Sequence, residues 1–415
     1  MRDSRLFARL LGLGRTVVEE VRLEEDGSVV VAVRPKRREC SRCGRCGRRS
    51  PGYDRGEGRR RWRALDLGSS TAFVEAEAPR VSCKRHGVTV ARVPWARHGS
   101  WFTREFEQQV AWLATQCSKK AICELMRTSW YAVGGIVERV VADERARRGD
   151  PFRGLRRIGV DELSYRVGQR YITLVVDHDA KRLVWVEQGR DKKTVRRFFC
   201  ALGTERTAKL ELVSSDMGGW ITSVVQEECP QAALCINPFH VVKAATDALD
   251  EVRRELWNEA RRSGDTKSAR WLKGARYALW KRPERLTERQ RAKLSAIARL
   301  NRRLYRAYLL KEQLRLVFQL ADPAEAKELL DAWLAWARRC RIASFVKLAG
   351  TIREHYAGIC ATLEHRLSNA RTEQINTQLR LICRRAYGFH SAEALIALAM
   401  LSLGGLCPPL PGRRG

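Results

Sequence analysis

After residue 240 the strands stop. Between residues 156 and 240 the chain runs in short β-rich segments: RRIGVDELSYR, YITLVVDHDAKRLVWVEQG, LELVSSDMGGW and AALCINPFHVVK. Turn signals bound them, and a helix is expected from about Lys192 to Leu202. Three strands in a meander followed by alternating helix and strand imply a mixed α/β sheet. From there to about residue 365 the sequence is helical and basic. Thr287 and Gln290 suit a capping box. The spacing of Leu300, Leu304, Ala307, Leu314 and Val317 predicts one helix of roughly thirty residues, about 45 Å long. This stretch reads as a helical insertion, placed before a closing helix at LSNARTEQINTQLRLICRRAYGF, residues 367–389.

Upstream of the sheet, two valine-rich runs flank Asp26 and Gly27, a hairpin signal. A very basic segment follows with Cys40, Cys43 and Cys46 at three-residue spacing, then a strand expected over TAFVEAEAPRVSC, then Cys83 and His86 in CKRHG. Two short knuckles a few tens of residues apart suit a tetrahedral Zn2+ site. Cys43, Cys46, Cys83 and His86 form the leading three-sulfur, one-nitrogen set, although Cys40 can replace either of the first two by spacing. Next, SKKAICELMRTSWYAVGGIVERV has the form of a helix-turn-helix. Ala121, Ile122 and Leu125 face inward on its first helix, a turn falls near Arg127 to Ser129, and Val133, Ile136, Val137 and Val140 line the second.

The chain of 415 residues carries 79 Lys and Arg against 47 Asp and Glu, a net charge of +32. That field points to a polyanion, with nucleic acid as the default partner. SAEALIALAMLSLGGLC contains Glu393 and is too short to span a membrane. MRDSRLFARLLGLGR lacks the pattern of a signal peptide, so a cytoplasmic, nucleoid-associated protein is expected. Of the thirteen cysteines, Cys117, Cys123, Cys235, Cys360 and Cys383 sit singly in apolar periodic segments and read as small hydrophobes.

Measured around a helix from Glu373, Thr377, Arg380 and Arg384 fall within roughly 40° and Asn376 at about 60°. Ile375, Leu379, Ile382 and Ala386 gather on the opposite face. Asp161 in IGVDE and Asp216 in SSDM stand at corresponding places of two strands. Neighbouring strands can set such carboxylates side by side, where Mg2+ or Mn2+ would relieve their repulsion. Glu373 on a helix against that sheet would complete a two-metal site for phosphoryl displacement. Glu162 points to the other face of its strand, and Asp177 and Asp179 bracket a hairpin turn.

IGVDE, SSDM, NPFHVVK and SNARTEQINTQLRLICRRAYGF, in this order, resemble transposases of the ISL-three family of bacterial insertion sequences. CGRCG with VSCKRHG matches that family's N-terminal zinc-binding region, and VPWARHG its connection to the helix-turn-helix. The resemblance implies an RNase H-like mixed-sheet core interrupted by an all-helical insertion. It also implies a DDE triad of Asp161, Asp216 and Glu373, with His240 as an auxiliary that contacts DNA or orients the site. Asn237 stands where related transposases carry Cys or Asp, three residues before the His.

The expected organisation is a hairpin and zinc-binding region over 1–98, a helix-turn-helix over 99–150, and the first part of the core over 151–240. The helical insertion follows over 241–360, completion of the core over 361–405, and a tail over 406–415. The expected activity is phosphodiester hydrolysis at the terminal inverted repeats of the element, then strand transfer into double-stranded target DNA by a homodimer or higher assembly. A DNA-binding regulator with a degenerate core, or a structure-specific nuclease, is the alternative. A pure binder gains nothing from three anions facing a DNA backbone.

Overall fold

The computed structural model describes residues 3–166, 168, 170–367, 370–389 and 391–413. Ser368 and Asn369 of the LSNARTEQ motif lie outside the described residues, as do the extreme ends of the 1–98 region and the 406–415 tail. The chain forms two compact units, Met1–Pro151 with Gln378–Gly415, and Phe152–Thr377.

The first unit begins with α1 (Asp3–Leu10), β1 (Thr16–Leu23), β2 (Val29–Pro35), β3 (Gly52–Asp54), β4 (Arg59–Leu67), β5 (Ser70–Glu77), β6 (Arg80–Cys83) and β7 (Gly87–Val90). Strands β1 and β2 form the expected hairpin, with Gly27 at a φ of 78°. A four-stranded sheet has the order β1-β2-β5-β4, and a three-stranded sheet the order β3-β6-β7. The strand expected across TAFVEAEAPRVSC is two, β5 and β6, in different sheets. Pro79 between them has no N–H to give a ladder. Val31, Val33, Val74 and Trp62 fill the core of the larger sheet, with Trp62 edge-on to Trp95 at 5.5 Å.

Three helices follow: α2 (Arg104–Gln116), α3 (Lys119–Met126) and α4 (Trp130–Arg148). Thr103, Ser118 and Ser129 cap them in turn, each side chain accepting a backbone N–H of the first turn. Arg127, at a φ of 48°, makes the turn between α3 and α4. Ile122, Val133, Ile136, Val137 and Val140 are buried as expected. Leu125 is 65% exposed; Ile122 and Met126, four positions apart, fill the inward stripe of this short helix instead.

The second unit opens with β8 (Arg157–Arg166), β9 (Arg170–Asp177), β10 (Arg182–Gln188), α5 (Lys192–Leu202), α6 (Thr204–Thr207), β11 (Leu212–Ser215), α7 (Gly219–Glu228) and β12 (Ala233–Ile236). Their sheet has the order β10-β9-β8-β11-β12. The β8–β9 and β9–β10 pairs are antiparallel, and β8–β11 and β11–β12 are parallel. Ile158, Val160 and Val175 pack with Val195, Phe198, Ile221 and Val224 of α5 and α7 on one face.

After β12 every described element through residue 365 is helical: α8 (Pro238–Arg262), α9 (Thr266–Lys273), α10 (Arg276–Trp280), α11 (Glu288–Leu300), α12 (Arg302–Val317), α13 (Pro323–Arg339), α14 (Ala343–Glu354) and α15 (Tyr356–His365), joined by turns and one short 3-10 segment. Leu249, Leu304, Leu314, Trp333 and Phe345 anchor their shared core. The capping box of Thr287 and Gln290 is present at the start of α11. The single long helix expected here is broken at Asn301, whose φ of −138° is not helical. The Asn301 side chain accepts the Leu304 N–H at 2.8 Å and so starts α12 afresh.

Helix α16 (Ala370–Arg385) spans the division, residues through Thr377 belonging to the second unit and the rest to the first. In the first unit, Arg385 donates to Thr115 O at 3.0 Å and Ala114 O at 3.1 Å, closing the end of α2. Finally α17 (Ala392–Leu403) packs against α2 and α4. Among the described residues no helix is long and apolar enough to cross a membrane.

Candidate active site and metal cluster

Strand β8 alternates between two environments. Ile158 and Val160 enter the apolar core, so Gly159 and Asp161 face the other way. Gly159 leaves room there for α16: a Cβ at this position would meet Thr372 Oγ1 at 2.5 Å and His178 Nε2 at 2.9 Å. In the parallel register of β8 and β11, Ser214 pairs with Gly159, and Asp216, just past the end of β11, is near enough for its charge to act on Asp161. Asp216 Oδ1 accepts the Gly218 N–H at 2.9 Å, and a Cβ on Gly218 would crowd that oxygen at 2.7 Å.

Helix α16 supplies two polar side chains one turn apart. Asn376 is buried, and its Nδ2 donates to Asp161 Oδ2 at 2.6 Å. Glu373 Oε1 accepts from Asn237 Nδ2 at 3.2 Å and lies 3.8 Å from His240 Nε2. Asn237 Oδ1 also accepts the Phe239 N–H, so one amide both starts α8 and holds Glu373. Glu373 is thus engaged from α8 and its N-cap, with no arginine of its own helix paired to it among the described residues. Arg380 and Arg384 are exposed further along α16.

Burial, reinforced by the like charge of Asp216, lifts the Asp161 carboxyl to about 6. Among the described residues no Lys or Arg pairs with Asp161 or Asp216, although the chain carries a large cationic excess. The Oδ1 of Asn376 is also buried without a partner. Oxygen donors lacking a protein cation suit a hard divalent ion. The other carboxylates are spoken for. Glu162 pairs with Arg190 at 2.6 Å, Asp177 accepts the turn N–H groups of Asp179 and Ala180, and Asp179 pairs with Arg157.

In the first unit, Cys43, Cys46, Cys83 and His86 bring their ligand atoms within 4.8 Å of one another, the only such group among the described residues. Cys43 Sγ is 3.6 Å from His86 Nδ1, Cys46 Sγ 3.8 Å from Cys83 Sγ, and Cys83 Sγ 3.8 Å from His86 Nδ1. Zinc bonds of about 2.3 Å to sulfur and 2.0 Å to nitrogen give tetrahedral edges of about 3.5 to 3.8 Å, so the spacing fits. The Arg85 backbone N–H, aimed at Cys83, holds that thiol down at about 6, near its ligating thiolate form. Cys40 stands apart and exposed, its sulfur against Pro35 O and Lys36 O.

Residues 158–399 match a family model described as a transposase, residues 91–141 one described as the helix-turn-helix domain of transposase family ISL3, and residues 40–86 one described as the zinc-finger of transposases IS204/IS1001/IS1096/IS1165. The chain belongs to the ISL3 family of transposases. It is 53% identical to the transposase for insertion sequence element IS1557 of Mycobacterium tuberculosis, over all of this chain and 98% of the relative. It is 26% identical to the transposase for IS1001 of Bordetella parapertussis, over 80% of this chain and 82% of that one. As an insertion-sequence transposase with a helix-turn-helix, the protein acts on DNA. For this transposase, sequence reading singled out the three carboxylates but not the contacts of Asn376 or the place of His178 beside Gly159. The available signal was an Asn about one turn after Glu373, on the carboxylate's side of the helix.

Proposed function

We propose that this transposase is a DDE enzyme on an RNase H-like core, with Asp161, Asp216 and Glu373 holding Mg2+ or Mn2+. The observation that carries the reading is the Asn376–Asp161 hydrogen bond, which ties the helix of Glu373 to the strand of Asp161. The order β10-β9-β8-β11-β12, a meander continued by two parallel strands, supports the core assignment. Divalent cations bound at the three carboxylates would polarise the scissile phosphate for in-line displacement. Asn376 and Asn237 orient Asp161 and Glu373 without neutralising them, leaving their charge for the ions. His240 faces Glu373 from the first turn of α8, where its Nε2 can donate to that carboxylate or to DNA.

The same proposal gives Cys43, Cys46, Cys83 and His86 a structural Zn2+ that closes the small sheet of β3, β6 and β7. The zinc and helix-turn-helix regions would read the terminal inverted repeats, with cations on the phosphates setting a steep salt dependence. Joining two ends to a target calls for a dimer or larger assembly on DNA.

The test is Mg2+-dependent cleavage of DNA bearing the element ends, comparing native protein with Asp161→Asn, Asp216→Asn and Glu373→Gln. The expected result is cleavage by native protein only, with end binding retained in all three variants. Undiminished cleavage by any one of them removes that residue from the triad.

A further inference from the structure

The positive charge of the helical body is unevenly placed. Helix α8 carries five Lys and Arg and five Asp and Glu, and α13 carries three of each. Across α9 to α11, residues 266–300, there are eleven Lys and Arg against two glutamates. The neighbouring helix also uses its charges internally, as in the pairs Lys243–Asp247 and Arg253–Asp250, both at 2.8 Å. By contrast Lys273, Arg276, Lys281, Arg282, Arg285 and Arg289 are all exposed, and none forms an ion pair among the described residues. Glu284, one of the two glutamates, is drawn to Arg315.

The segments that carry these cations adjoin one another. Lys281 Nζ donates to Gln290 Oε1 at 3.3 Å, tying the end of α10 to the start of α11. Lys293 of α11 lies over Gly274 at the end of α9, where an added Cβ would meet its Nζ at 3.0 Å. The Arg276 guanidinium stacks 3.8 Å from the Trp280 ring centre, and Tyr277 beside it is 61% exposed. Leu272, Leu279 and Ile297 point into the core, and the strongly exposed large apolar side chains of α9 to α11 are Tyr277 and Leu300, too few for the continuous apolar face with which a helix enters a lipid surface. An outward layer of unpaired cations with flat π groups suits a phosphate backbone.

We infer that α9 to α11 form a second DNA-binding surface, contacting duplex phosphates without regard to sequence and separate from the zinc and helix-turn-helix regions. Helix α11 alone is about 20 Å long, which matches about six phosphates along one strand of a duplex. The inference rests on charge and exposure, independently of the carboxylate assignment.

The experiment uses the full chain, a duplex of unrelated sequence and no divalent cation, so its outcome does not depend on cleavage. Lys273, Arg276, Lys281 and Arg282 are changed together to Ala, with a control set of Lys327, Arg338, Arg339 and Lys347 changed to Ala. The first set is expected to lower affinity at least tenfold and flatten the plot of log K against log salt by up to about 3.6, at roughly 0.9 per lost phosphate contact. The control set is expected to change the slope by less than one. Equal losses in both sets, or none in the first, would overturn the inference. So would a loss confined to binding of phosphatidylserine vesicles with DNA binding intact.

Discussion

Asn376 reaches Asp161 at 2.6 Å across 215 positions of sequence. The contact joins an uncharged donor to a buried carboxylate, and this choice has a chemical consequence. A lysine or arginine there would pull the Asp161 carboxyl down and occupy it; an amide fixes one oxygen and leaves the charge. Asn376→Ala is therefore expected to lower end cleavage about 10- to 100-fold, the size of a hydrogen bond to a charged group. End binding should hold. Asn376→Asp should cut less well still in low Mg2+. Rates equal to native for the alanine variant would show that α16 positions Glu373 without help from Asn376.

The raised Asp161 carboxyl gives a pH signature. Its value of about 6 lies above that of an unfolded aspartate. In metal-free protein its contribution to stability is full below the unfolded value and fades as pH rises through about 6. Bound Mg2+ reverses the sign, because the ion needs the ionised form. Thermal unfolding between pH 5 and 7 should show Mg2+ adding more stability at the upper end, and Asp161→Asn should remove most of that trend.

Zinc content should separate the cysteines. Native protein is expected to bind one Zn2+ per chain, Cys40→Ser also one, and Cys43→Ser or Cys83→Ser none. The two knuckle variants should also lose the fold of the small sheet, read by proteolysis between residues 40 and 90. Loss of zinc in Cys40→Ser would reassign the ligand set.

At Gly159, α16 approaches β8 closely. Gly159→Ala puts a methyl group against Thr372 and His178, and overpacking of this kind costs about 1 to 3 kcal/mol. Cleavage should fall further than stability alone explains, since Glu373 and Asn376 ride on the displaced helix. Denaturant unfolding beside a cleavage assay compares the two losses.

Much of this was legible in the chain. Short β-rich runs announced the five-stranded sheet, the end of strands after residue 240 announced the helical body, and knuckle spacing announced the Cys and His cluster. What escaped reading depends on single backbone choices or on contacts distant in sequence. Asn301 carries no mark that distinguishes a helix break from a polar residue within one long helix. Leu125 was lost to Met126 because a short helix has only one inward stripe. Cys43 and Cys40 are equivalent by spacing, and only the fold of the knuckle separates them. The 361–405 segment was read as one piece with the core, whereas residues after Thr377 group with the first unit through Arg385 and α17. No local pattern announces which of two bodies an apolar helix will join.

The position of α17 also orders events during synthesis. The ribosome delivers α2 and α4 early, but the helix whose Leu395, Ala399 and Met400 complete their surroundings emerges only after the whole second unit. A gene copy cut short by a frameshift in between encodes a helix-turn-helix with an unfinished core. Such a fragment is expected to be cleared by proteases instead of persisting as a competitor on DNA. Chain order would thus tie the helix-turn-helix to an intact reading frame through the body that carries the three carboxylates.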